Sequence, residues 1–350
     1  MRLQNASERS TMKKISLLSA VFLLLNLLLS GCGTPQESVS RSGFYFNTVI
    51  TVTLYDHGSE ALLDECFALA AQYEGWFSAS IPDSDIAKIN AAGGVPVSVH
   101  NETVELLQLG ISYGALSDGA FDITIGALSD LWDISTKALF EETDASMIPA
   151  DSEIRKALDT VDYRGITIDG NEVSLQNPNA AIDLGGIAKG YIADRMKELL
   201  NARGVTSGHI NLGGNVLVLG EKPDGSPYNI GIQRPFSDDG SVIATVRVKD
   251  QTVVSSGIYE RYFAVDDILH HHILDTATGY PYDNGLLGVT IITSSSADAD
   301  ALSTICFSLG LADGMELVES LADTEAVFIT EDYEVHVSSG MGSSIPYEIF

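Results

Sequence analysis

Cysteine is scarce in this chain: three in 350 residues, at positions 32, 66 and 306. Cys66 and Cys306 lie too far apart, and are too few, to form a disulfide framework, so both are expected as buried free thiols. Basic residues are scarce too. Lys and Arg number 19 against 48 Asp and Glu, a formal net charge of −29. A nucleic-acid partner needs a basic face, and this balance excludes one. The acids are spread along the chain rather than blocked, which reads as a solvated acidic surface. Also missing are an internal repeat, a low-complexity tract, a GxGxxG or P-loop pattern, and the HxxxH or CxxC spacing of a zinc site. Without a repeat there is no support for a two-lobed solute-binding lipoprotein.

One long apolar run exists, and it lies at the N-terminus. Met12-Lys13-Lys14 precedes ISLLSAVFLLLNLLL, residues 15–29, which is too short to span a membrane comfortably and reads as a signal segment. Leu29-Ser30-Gly31-Cys32 follows. Small residues before a cysteine, directly after an apolar core, resemble a bacterial lipobox. That resemblance implies cleavage before Cys32, lipid on its sulfur and a membrane-held protein facing out of the cytoplasm. An ordinary signal peptide with an incidental cysteine is the alternative. Removing residues 1–31 takes away Arg2, Arg9, Lys13, Lys14 and Glu8, which leaves −32. The expected organisation is residues 1–31 as signal, 32–42 as a polar linker and 43–350 as one catalytic-sized domain.

Within that domain, VITVTLY (49–55) alternates as a strand does, and residues 60–77 and 101–117 carry helical spacing. A helix is expected from Ile187 to about Arg203. Two short strands flank Gly213-Gly214, and more follow near 242–248, 252–255, 260–265 and 288–293. Helices near 297–309 and 311–321 precede closing strands in AVFIT and VHVSS. The irregular alternation predicts an α+β, or mixed α/β, fold with sheets flanked by helices.

Four stretches carry candidate chemistry. In AIDLGGIAKGYIADR (181–195), two glycines sit where an apolar run ending in Asp183 meets a helix. Such a turn lets backbone approach an anion at a helix start; a tight turn with Asp183 as a cap reads equally well. GHINLGGNVLVLG (208–220) repeats the theme, or is simply a hairpin. HHHILD (270–275) would put His270 and His272 on one face of a strand. In SSADADALST (295–304), a Ser cap at 295 or 296 would set Asp300 and Thr304 one turn apart on one face. A carboxylate and a hydroxyl so placed are hard ligands that suit Mg²⁺. Acidic residues at a helix start, with no metal, are the simpler reading.

Taken together, SDIAKIN (84–90), GAFDITIGALSDLW (119–132), IDLGGIAKGYIAD (182–194), GHINLGGNVLVLG, GIQRP (231–235), VVSSGIYERYF (253–263), HHILDTATGYP (271–281) and ADALST (299–304) resemble the FAD:protein FMN transferase family, ApbE. The resemblance spans about residues 44–330. It implies a single ApbE-like, T-fold-like domain that moves FMN from FAD to a threonine or serine of an exported acceptor flavoprotein and releases AMP. Carried over by position, it implies Mg²⁺ ligands at Gly186 (backbone carbonyl), Asp300 and Thr304. FAD contacts are implied at Phe46, Ala120, Phe121, Asp122, Asp183, Lys189 and Ile273, and a catalytic histidine at His272. Phe46-Asn47-Thr48 stands where the family often has Met-Gly-Thr, and Thr276 where it usually has proline.

The chemistry is coherent on residue types. A hydroxyl attacks the FMN-side phosphorus while AMP leaves in line, so charge neutralisation matters more than covalent help. His272 is a candidate base, and a purely electrostatic site is open as well. An FAD pyrophosphatase would use the same residues with water as acceptor. A flavin-binding lipoprotein without catalysis is the third possibility.

Overall fold

LLGVTIIT, the strand Leu286–Thr293, is buried at every position. A continuously apolar strand of this kind needs cover on both faces. A bulge at Leu287 shifts its register against the neighbouring strand. Before the bulge Leu286 faces the main core and Leu287 the second; after it Val289 and Ile291 face the main core and Ile292 the second. One extra residue thus resets which side chains point where.

The computed structural model describes residues 38–237 and 239–350. Val39–Phe350 forms one compact unit. Its centre is an eight-stranded antiparallel sheet in the spatial order Val39–Tyr45, Thr48–Leu54, Ser207–Leu212, Asn215–Gly220, Thr252–Gly257, Leu286–Thr293, Glu325–Thr330, Val335–Val337. One face carries the main core and three helices, Glu60–Phe77, Ala188–Ala202 and Ser296–Ser320. The other carries a three-stranded sheet, Tyr347–Ile349, Val242–Val248 and Tyr228–Gln233, packed through Ile232, Ile243, Val246 and Val248. A third small core of Leu128, Trp132, Ile154, Phe263 and Leu274 lies under the two-stranded ribbon Tyr262–Val265 and Ile268–His271. The fold is therefore mixed α+β, with sheets flanked by helices.

Several expected boundaries move. The linker was expected to run to Ser42, but the first strand starts at Val39 and pairs with Thr48–Leu54 from end to end. Its alternate residues are exposed, so VSRSGFY looks polar. The two helices expected near 297–309 and 311–321 are present within Ser296–Ser320, parted at Gly310, where φ is 80° and ψ 178°. The ribbon strand ends at His271, so the alternation expected to put His270 and His272 on one face stops short of His272. Cys66 and Cys306 are buried free thiols, and burial pushes both up to about 12. Cys32 lies outside the described residues.

Candidate active site

Two helix starts meet at the centre of the molecule. The helix Ala188–Ala202 follows the glycine turn Gly185-Gly186, and Gly190 lies in its first turn. A β-carbon on Gly190 would stand 2.1 Å from the Ser296 carbonyl oxygen, so only glycine permits this approach. First-turn amides have no partner inside their own helix. Gly190 N–H donates across to Asp300 Oδ2 at 2.9 Å. The reverse bond exists too. Ser296 and Ala297 N–H, at the start of the other helix, donate to Asp194 at 2.9 Å each. Each helix thus supplies a carboxylate that closes the other's start, and both are also favoured by the positive helix ends. Burial pushes the Asp194 carboxyl up, and the two amide bonds oppose that. Ser295 adds the expected cap, accepting from Asp298 N–H, and Asp298 in turn accepts from the Tyr113 hydroxyl at 2.7 Å.

Around Asp300 stand three of the expected residues, Lys189, Gly186 and Thr304. The carboxylate is almost fully buried, and its Oδ1 faces Lys189 Nζ at 3.2 Å. Lys189 also donates to the Gly185 carbonyl at 3.0 Å. Thr304, one turn further along the helix, shares a 3.2 Å hydrogen bond with Ser256, whose hydroxyl also meets Ser303 at 2.8 Å. Gly186 closes the group: a β-carbon there would lie 3.7 Å from Thr304 Oγ1 and 3.0 Å from the Phe121 ring. Among the described residues no three His, Cys, Asp or Glu side chains gather as a metal cluster. Gly186, Asp300 and Thr304 offer another donor set: one carboxylate, one hydroxyl and a backbone carbonyl. These are hard oxygens, and the Lys189 ammonium stands among them as a resident cation. The residues present therefore fit a small hard divalent cation better than zinc.

The turn that carries this site is clamped from behind. Asn90 of SDIAKIN accepts from Ile182 N–H at 2.7 Å and donates to the Ile182 carbonyl at 2.9 Å. Asp183 accepts from Gly185 N–H at 2.7 Å and so shapes the turn. Asp122 has both oxygens committed: Oδ1 to the Thr124 amide and hydroxyl, Oδ2 to Tyr163 N–H, all at 2.7 Å. Burial pushes its carboxyl up, and those bonds oppose the shift. Ala120 is half-buried, and its N–H donates to the Ser117 carbonyl. The Ile273 side chain packs in the main core. Phe46 and Asn47 form a two-residue turn with φ of 51° and 55°, a strained place for a phenylalanine. The next residue, Thr48, lies against Gly213, where a β-carbon would stand 2.1 Å from its hydroxyl.

The three histidines part company. His270 is stacked between Trp132 and Phe263 in the third core. His271 is buried; its Nε2–H donates to the Tyr282 carbonyl at 2.8 Å, and burial brings it down to about 4. His272 is half-buried, with Nδ1 3.3 Å from the Arg261 carbonyl. A carbonyl only accepts, so Nδ1 carries the hydrogen and Nε2 keeps a free lone pair. Removal from water, with the Arg261 charge second, holds His272 well below the usual imidazole range. Sequence reasoning passed over Glu260. It is exposed, with Oε1 3.9 Å from where a β-carbon of Gly214 would be. Desolvation pushes it up, against the pull of Lys189 and Arg261. The only signal was its place beside Arg261 in the VVSSGIYERYF stretch.

Fold and cleft together define a class: an α+β protein whose glycine turns, hard oxygens and cations surround a space suited to a phosphate-bearing ligand. A family model described as the ApbE family matches residues 46–328, and the chain belongs to that family. It is 37% identical over 303 residues to an FAD:protein FMN transferase of Klebsiella pneumoniae (strain 342), covering 86% of this chain and 92% of that protein. A protein of the same name from Treponema pallidum (strain Nichols) is 34% identical, with 89% and 91% covered. Among solved structures, the ApbE protein of Thermotoga maritima superposes with a TM-score of 0.77 at 30% identity, over 87% of this chain and 97% of that one. The flavin transferase ApbE of Vibrio cholerae gives 0.75 at 26% identity, over 87% and 97%.

Proposed function

We propose that this chain is a flavin transferase: it takes FAD as substrate, moves FMN to a threonine or serine hydroxyl of an exported acceptor protein, and releases AMP. The observation that carries the reading is the gathering of Gly186, Asp300 and Thr304 beside Lys189, at the Gly185-Gly186 turn. Gly186, Asp300 and Thr304 would hold Mg²⁺, which supplies charge neutralisation at the pyrophosphate. The chain's own residues do the rest. Lys189 adds a positive charge near the phosphates, and the turn amides offer hydrogen bonds to their oxygens. His272 Nε2 takes the hydroxyl proton as the acceptor oxygen bonds to the FMN-side phosphorus. The bond from that phosphorus to the AMP oxygen breaks in line. A neutral imidazole with Nδ1–H fixed on a backbone carbonyl is well oriented for that role.

The test is direct. The protein is incubated with FAD, Mg²⁺ and a candidate exported flavoprotein, and the acceptor is weighed. A gain of FMN less water on one Thr or Ser, abolished by alanine there, supports transfer. Hydrolysis of FAD to FMN and AMP at enzymatic rates with no labelled acceptor would replace it with a pyrophosphatase. We also propose that Cys32, cleaved free and lipidated, holds the enzyme on the outer side of the cytoplasmic membrane or at the cell surface. Cys32→Ser should then yield unlipidated protein, and a cleaved, membrane-bound Cys32→Ser form would refute the anchor.

A further inference from the structure

Lys189 is the second residue of its helix, yet its side chain turns back over the glycine turn. Two of the three ammonium hydrogens are engaged, one with the Gly185 carbonyl at 3.0 Å and one with Asp300 Oδ1 at 3.2 Å. Asp300 Oδ2 is taken by Gly190 N–H. The oxygen that Lys189 holds is therefore the one left over for a divalent cation. An ammonium is a compact point charge on a flexible stem. It and a doubly charged ion a few ångströms away repel each other strongly in a half-buried site. The two are alternative occupants of one carboxylate oxygen. A second carboxylate, Glu260, is exposed beside the Gly213-Gly214 turn, with no ion pair or side-chain hydrogen bond among the described residues. Lys189 and Arg261 are the two cations that act on it. An exposed carboxylate without a partner is free to receive the ammonium when Asp300 is taken.

We propose that Lys189 is an exchangeable counter-ion of the cation site, resting on Asp300 and moving to Glu260 when a divalent cation takes Asp300. This rests on the cation site of the proposed function, and it gives Glu260 a positioning role. Cation entry would then deliver a positive charge to the side of the cleft beside Gly214, where a phosphate-bearing substrate can use it. Metal binding and substrate binding become coupled through one side chain.

Mn²⁺ binding to the purified, FAD-free protein tests this without any turnover, read by electron paramagnetic resonance. Wild type should bind Mn²⁺. Lys189→Met, which removes the competing cation and keeps the stem, should bind it about fivefold tighter, the weight of one half-buried ion pair. Glu260→Gln, which removes the receiving carboxylate, should bind it a few-fold more weakly. Equal or weaker binding by K189M overturns the exchange, and unchanged binding by E260Q overturns Glu260 as its destination. If wild type binds no Mn²⁺, the cation site itself falls and this inference with it. A second measurement needs no substitution in the test protein. Lysines are methylated with ¹³C-formaldehyde, and the Lys189 resonance, assigned by its loss in K189R, should shift on adding Mg²⁺. An unmoved resonance at saturating Mg²⁺ would also refute the exchange.

Discussion

Asp300→Asn and Asp300→Ala separate two duties that one carboxylate performs. Oδ2 closes the start of the helix Ala188–Ala202, and Oδ1 faces a cation. Asparagine keeps the shape, and its carbonyl can still accept from Gly190 N–H. What it loses is the charge beside Lys189, whose side chain is 25% exposed. A pair that solvent still reaches is worth about 1 kcal/mol. Alanine loses both bonds and leaves a buried amide and a partly buried ammonium unpaired. Breaking a buried pair this way costs about 3–5 kcal/mol, and the lower figure applies because Lys189 keeps the Gly185 carbonyl. At roughly 2 °C per kcal/mol for a chain of this size, the melting temperature should fall by about 2 °C for Asn and about 6 °C for Ala. Transfer should respond differently. Both variants lack the anionic ligand, and both should lose about 10²–10³ in Mg²⁺-dependent rate. Differential scanning fluorimetry reads the first effect, and the mass of the labelled acceptor over a Mg²⁺ titration reads the second. Wild-type transfer by the Asn variant would refute the cation reading. An unchanged melting temperature for the Ala variant would refute the cap.

Other expectations come from neighbouring residues. His272→Ala should slow transfer by about 10²–10⁴ while FAD binding stays near normal, whereas His270→Ala should lower stability through the Trp132 and Phe263 stack and leave transfer intact; equal rate losses in the two would refute His272 as base. Gly190→Ala puts a β-carbon 2.1 Å from backbone, so stability should fall by about 1–3 kcal/mol or more and Mg²⁺ affinity with it; a normal melting curve would contradict the helix contact. His271 gives a pH dependence. It sits at about 4 in the fold against 6.5 as a free side chain, so the unfolded chain binds more protons between those values and stability falls as pH drops through that window. From pH 7 to pH 5 its share is about 2 kcal/mol. His271→Gln, which can still donate to the Tyr282 carbonyl, should remove that share in urea titrations, and an unchanged pH slope would refute it.

How legible was all this beforehand? Elements with a strong period were read almost to the residue: 60–77, 101–116 and the strands flanking Gly213-Gly214. A helix of that kind is fixed by a local apolar stripe, and a two-residue turn by its glycines. Val39–Tyr45 was missed because a strand at the sheet edge, exposed on alternate residues, carries Ser and Arg as a linker would. The ribbon's end at His271 is set by its partner strand, not by the histidine run itself. At the site, Asp300 and Thr304 were legible because they share a helix face. Asp194 and Asn90 were not. Each acts on a residue from a distant part of the chain, such as Asn90 on Ile182, 92 positions away, and no local pattern encodes such a partner.

The crossed capping of the two helices also bears on the order in which this protein comes into being. Gly190 and Asp300 lie 110 positions apart, and Asp194 and Ser296 lie 102 apart. A ribosome adds about 5–20 residues per second, so the earlier helix waits roughly 5–20 s for the carboxylate that closes its start. During that wait the strands Thr252–Gly257 and Leu286–Thr293 also lack the helix that covers them. Contacts of such long range form late and slowly. Nascent chains stalled before Ser296 should therefore be cut readily by protease within Ala188–Ala202, and chains stalled well beyond Thr304 should resist. The working cleft is then among the last parts of the fold to exist.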